Sequence, residues 1–119
     1  MLDDAEILLV DDDDGFRYAC RRMLEAAGFV VTACKGFSDT LGRLQSEAKY
    51  DLMISDVVIP KSVNGFVLTQ MARTRRPGLK VIHVTAYDDL PAEAAGSKML
   101  RKPIDEADLL REVRAALAS

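Results

Sequence analysis

Five short apolar runs, separated by stretches with helical spacing, constrain this chain more than any other feature. The runs are Glu6–Val10, Phe29–Ala33, Asp51–Ser55, Lys80–Thr85 and, more weakly, Lys98–Arg101. After the first, Phe16, Cys20, Met23 and Ala27 recur at helical spacing, and Gly28 supplies a stop. Phe37, Leu41, Leu44 and Ala48 form the second stripe. Val67, Leu68 and Met71 form the third, in a helix that starts near Asn64 and ends before Pro77-Gly78. Asp88 to Ala95 has room only for a short helix. Leu109, Val113, Ala116 and Leu117 make the last stripe, with Asp105 as its N-cap and Asp108 three residues later. Strands alternating with helices predict a parallel sheet covered on both faces. The second and third runs are near-continuous in apolar residues, as expected of central strands buried on both sides. Right-handed crossovers then predict a flavodoxin-like (βα)5 doubly wound α/β fold, with strand order 2-1-3-4-5 and a shortened fourth helix.

With 119 residues, the chain is read as one domain spanning 1–119. Its net charge of -3 gives no reason to expect nucleic acid or an acidic membrane as partner. Arg73, Arg75 and Arg76 are read as complements to a helix C-terminus. Cys20 and Cys34 lack metal-ligand spacing and are expected to be buried free thiols in a reducing compartment. There is no signal-like segment and no run long enough to span a membrane, so a cytoplasmic protein is expected. The last helix runs almost to Ser119, which predicts no output domain. Met1 followed closely by the first strand favours a stand-alone protein over an excised module.

Polar residues gather where the runs end. Ile7-Leu8-Leu9-Val10 leads directly into Asp11-Asp12-Asp13-Asp14-Gly15. Four adjacent carboxylates repel one another unless something cationic neutralises them, and hard divalent metals prefer oxygen ligands. Capping of the following helix is the competing use for one or two of them. In open α/β sheets the site lies beyond the carboxyl ends of the strands, where strand order reverses. That edge would collect Asp11 and Asp12 from strand 1, Asp56 from strand 3, Thr85 from strand 4 and Lys102 from strand 5. The set suits phosphoryl chemistry. Asp56 would be the nucleophile, Asp11 and Asp12 would hold Mg²⁺, and Thr85 and Lys102 would hold the transferred group. Asp13 and Asp14 are expected at the helix N-terminus, favoured by its dipole.

Taken in order, Asp11-Asp12, Asp56 with Pro60 and Gly65 beyond it, Thr85-Ala86 and Lys102-Pro103 resemble the receiver domain of two-component response regulators. The likeness covers essentially the whole chain. It implies phosphoryl transfer from a histidine kinase or histidine phosphotransfer protein onto Asp56, with Mg²⁺. The metal would be held by Asp12 and Asp56 directly, by Asp11 largely through water, and by the backbone carbonyl of Val58. The resemblance also implies a cis Lys102-Pro103 bond and a change of surface read by a downstream protein target or output domain. The chain would be a signalling phosphoacceptor and not an enzyme, apart from self-phosphorylation from a donor and autodephosphorylation. It would be a monomer or a weak phosphorylation-dependent dimer, without direct nucleic-acid or membrane contact.

Three departures from the family pattern stand out. Met99 occupies the position three before the lysine where relatives carry Tyr or Phe, and Tyr87 is a candidate substitute. The stretch from Thr85 to Lys102 is short and carries Pro91 and Gly96. Pro60-Lys61-Ser62-Val63-Asn64-Gly65 holds one extra residue. Among rivals, a haloacid-dehalogenase-like phosphatase needs Thr or Val where Gly15 stands, and an acidic pair after the lysine, whereas Asp88-Asp89 precede Lys102. A calcium loop aligned on Gly15 would put Val10 and Arg21 at ligand positions. A flavin module would need a phosphate-cradling loop where the carboxylates lie. A phosphorylation-independent module is opposed by the intact acidic set. His83, inside strand 4, is read as a core or half-buried histidine rather than a catalytic or phosphorylated one.

Overall fold

The computed structural model describes residues 5–57, 65–86 and 98–119. Val58, Pro60, the extra residue of the loop before Gly65, Tyr87, Pro91, Gly96 and the shortened fourth helix lie outside the described residues. In chain order the elements are β1 (Glu6–Val10), α1 (Asp14–Ala26), β2 (Val30–Cys34), α2 (Phe37–Gln45), β3 (Leu52–Asp56), α3 (Gly65–Arg75), β4 (Lys80–Thr85), β5 (Lys98–Arg101) and α4 (Glu106–Ala118). The strands form one parallel sheet in the order β2-β1-β3-β4-β5, as the alternation of runs and stripes predicts.

The apolar runs of β1, β3 and β4 are continuous because each of these strands feeds two cores. Alternate side chains on a strand point to opposite faces. Ile7, Leu9, Leu52, Ile54, Ile82 and Val84 pack beneath Cys20 and Leu24 of α1 and Leu109 and Val113 of α4. On the other face, Leu8, Val10, Met53 and Val81 pack beneath Leu44 of α2 and Leu68 and Ala72 of α3. Each large apolar side chain buried in this way contributes about 1.5–3 kcal/mol. β3 is buried along its whole length. β2 is not the central strand that its apolar run suggests: it lies at the edge of the sheet, with Val30 51% exposed.

Local signals set the ends of the helices. Asp13 caps α1 by accepting from the Phe16 backbone N–H at 3.0 Å. At the other end, Gly28 has φ 100°, the left-handed region that glycine enters freely. The Gly28 N–H reaches Glu25 O and the Phe29 N–H reaches Leu24 O, closing the last turn. Asp105 occupies the N-cap position of α4 but makes no side-chain capping bond. Arg76 donates to Leu44 O and Ser46 O and lies over the Tyr50 ring, so it caps the neighbouring α2. Among the described residues, no helix is long and apolar enough to cross a membrane.

Candidate functional site

Because all strands run parallel, their carboxyl ends share one edge. β1 delivers Asp11 and Asp12 there, β3 ends on Asp56, β4 ends on Thr85, and Lys102 follows β5 directly. The Lys102 N–H donates to Thr85 O at 2.7 Å, which carries the β4–β5 ladder one step past the last paired residues. The Lys102-Pro103 bond is cis, as the resemblance implied. Lys102 Nζ lies 2.7 Å from Asp11 Oδ2 and 3.4 Å from Asp56 Oδ2. Oxygens of Asp11, Asp12 and Asp56 all lie within 4.8 Å of one another. Asp11, Asp56 and Thr85 are buried, whereas Asp12 is exposed.

The four-aspartate run divides its labour. Asp11 Oδ1 accepts from the Asp13 N–H at 2.9 Å, and Asp13 in turn caps α1 through the Phe16 N–H. Asp14 sits in the first helical turn and pairs with Arg17. A hydrogen bond from Arg17, aided by the charge of Lys35, holds the Asp14 carboxyl below its ordinary pKa. Arg17 also donates to the Asp11 backbone carbonyl at 2.8 Å. Two of the carboxylates therefore face the site and two build the helix start beside it.

Among the described residues, negative charge exceeds positive charge at the site. Asp11 Oδ2 is buried and, among the described residues, has no well-angled hydrogen bond, so the nearby Lys102 ammonium is what balances it. Burial acts most strongly on Lys102 and would lower its pKa. The close pairing with Asp11, joined by the charge of Asp56, outweighs that effect and raises the pKa above its ordinary value. Among the described residues, one ammonium thus faces three carboxylates. Three hard oxygen donors with an under-balanced buried oxygen fit a divalent cation such as Mg²⁺. Asp11, Asp12 and Asp56 would hold it, and it would supply charge neutralisation for oxygen-rich chemistry.

Beside this cluster, burial and the negative charge of Asp11 push the Cys20 thiol up to about 12, with Lys102 offsetting part of the shift. Burial likewise raises Cys34. Both thiols are free and buried, and a thiol without thiolate character is inert. Iodoacetamide at pH 8 is therefore expected to leave the native protein unmodified and to label both cysteines in urea. Intact mass reads the result, and labelling of the native protein would contradict the burial assigned to them.

Several neighbours of the site carry no sequence signal. The Phe16 ring, which spacing places in the helix core stripe, has its centroid 4.2 Å from Lys102 Nζ. His83 is fully buried, as read from its place inside the strand, and its Nε2 lies 2.8 Å from Thr69 Oγ1 of α3. His83 is also in register with Met99. Helical or strand spacing reports which face a residue occupies, not which distant residue meets it.

The model of the response regulator receiver domain family matches residues 7–114. The chain is 32% identical to the response regulator receiver protein CpdR of Brucella abortus, over 93% of this chain and 95% of that protein. It is 36% identical to the DNA-binding transcriptional regulator NtrC of a Bradyrhizobium species, covering 94% of this chain. There the chain spans about a quarter, 24%, of the relative's length. Among solved structures, a CheY-like receiver domain protein from Methanospirillum hungatei superposes with a TM-score of 0.88 at 28% identity, covering 97% of this chain and 94% of that one. The receiver domain of the hybrid histidine kinase CckA superposes with a TM-score of 0.83 at 31% identity, covering 95% and 99%. Fold, strand order and sequence agree, and the chain belongs to the response regulator receiver domain family of two-component systems.

Proposed function

We propose that this receiver domain accepts a phosphoryl group from phosphohistidine onto Asp56, with Mg²⁺ held by Asp11, Asp12 and Asp56. The observation that carries the reading is a cation, Lys102 Nζ, set 3.4 Å from Asp56 Oδ2 among carboxylates whose oxygens lie within 4.8 Å of one another. An Asp56 oxygen forms the new bond to phosphorus. The bond from phosphorus to the donor's imidazole nitrogen breaks, its electron pair stays on that nitrogen, and solvent returns a proton to the ring. Lys102 neutralises charge on the transferred oxygens, and Thr85 offers them its hydroxyl proton. The acyl phosphate then biases an existing two-state surface toward a protein target. On this reading the domain is a switch rather than an enzyme, and its buried free thiols suit the reducing cytoplasm. The backbone carbonyl of Val58 completes the proposed metal set on family resemblance alone.

The test is incubation with Mg²⁺ and acetyl phosphate, followed by intact mass. One added phosphoryl group is expected, dependent on the metal and missing in Asp56→Ala. An unmodified protein, or the same adduct in Asp56→Ala, would overturn the assignment.

A further inference from the structure

Lys102 is held from two sides. Carboxylates of Asp11 and Asp56 meet its ammonium at 2.7 and 3.4 Å. The Phe16 ring meets it as well, with the centroid 4.2 Å away, well inside the range of a cation–π contact. The ring is not free to drift. Asp11 Oδ1 fixes the Asp13 N–H, Asp13 Oδ1 fixes the Phe16 N–H, and the Phe16 ring returns to the ammonium that pairs with Asp11. These four residues close a circuit. The ring also lines an apolar cavity of about 180 Å³ together with Cys20, Met23, Pro103 and Ile104.

We infer that Phe16 is a positioning residue for phosphoryl transfer: its ring holds the Lys102 ammonium over Asp56 when Asp11 is engaged elsewhere. The inference rests on the phosphoacceptor reading above. Of the two carboxylates, Asp11 is nearer and dominates the ammonium's position. Charge placed on Asp11 and Asp12 by a divalent cation weakens that hold, and the ring's attraction for Lys102 does not depend on it. With the competing anion weakened, the ring contact decides a larger share of the ammonium's position in the loaded state, and a correctly placed charge favours the transfer. An aliphatic side chain of similar size would fill the same space without the negative ring face that attracts the cation.

The experiment replaces Phe16 with mono-, di- and trifluorinated phenylalanine, which withdraws electron density from the ring face at nearly constant shape. The rate of phosphorylation by acetyl phosphate and Mg²⁺ is followed by intact mass. It is expected to fall stepwise with each fluorine, by roughly 3-fold across the series, with Phe16→Leu slower by about 5-fold. A second readout needs neither metal nor donor. The fluorine resonance of the monofluorinated ring is expected to shift when Lys102→Met removes the cation. Rates that stay level across the fluorinated series, or a resonance that ignores Lys102→Met, would overturn the role of Phe16 while Asp56 still accepts phosphate. No adduct on the unsubstituted protein would overturn the phosphoacceptor reading and this role together.

Discussion

Lys102→Met is expected to destabilise the metal-free protein by about 2–3 kcal/mol, read as a lower urea midpoint in the presence of a chelator. The substitution keeps most of the apolar stem and removes the ammonium. It leaves the buried Asp11 carboxylate, together with Asp56 and Asp12, without the cation that balances them. Removing one partner of a fully buried pair costs about 3–5 kcal/mol, and the figure here is discounted because the Lys102 side chain is 15% exposed. The new thioether still packs on Phe16, so lost packing is a minor part of the effect. Mg²⁺ should narrow the gap, since a bound divalent cation stabilises the folded state by mass action and replaces the missing charge. The gain in midpoint on adding Mg²⁺ is therefore expected to be larger in Lys102→Met than in the unsubstituted protein. Equal midpoints without metal would show that the carboxylates are balanced by something other than Lys102.

Ile54→Ala is expected to lower stability by about 3–4 kcal/mol, against about 1 kcal/mol for Ile54→Val. Ile54 lies in the fully buried β3, in register with Leu9 of β1 and Ile82 of β4. All three are fully buried in the core beneath α1 and α4. Truncation leaves a cavity in the centre of the sheet, where neighbouring strands cannot collapse without breaking register. Against a typical total of about 5–15 kcal/mol, that is a large share. Val30→Ala, at an edge position 51% exposed, is expected to change stability by less than about 0.5 kcal/mol. Urea unfolding of the three variants measures the contrast. A larger effect at Val30 than at Ile54 would contradict the placement of the core.

The same contrast marks where sequence reading works. The limits of β1, β4 and β5 coincide with the apolar runs. At β2 and β3 the ladder starts one residue later than the run. Phe29 is 3% exposed yet outside the ladder, its N–H closing the end of α1 instead. Hydrophobicity reports burial, and strand limits depend on hydrogen bonds. For the same reason the β-branched residues of β2 resemble those of a central strand, although among the described residues one side of that strand has no neighbouring strand.

At the site, topology made Asp11, Asp12, Asp56, Thr85 and Lys102 legible together, because parallel strands must end at one edge. Phe16, Thr69 and Arg76 were not legible in their observed roles. Each meets a residue far away in sequence, His83 or Lys102 at the site and the carbonyls of α2 for Arg76. Helical spacing fixes the face of a side chain but not what lies over it. The acidic run is a mixed case. Its position announced a charged site, and the division between site carboxylates and the capping Asp13 follows from the first turn of α1.

The central claim is that Asp56 carries the phosphoryl group, and reductive mapping tests it most directly. An acyl phosphate is reduced by borohydride at its carbonyl carbon, which turns the modified aspartate into homoserine and releases phosphate. After incubation with acetyl phosphate and Mg²⁺, reduction and peptide sequencing are predicted to find homoserine at position 56 and aspartate at positions 11 and 12. Homoserine at position 11 or 12, or aspartate retained at all three positions, would contradict the account.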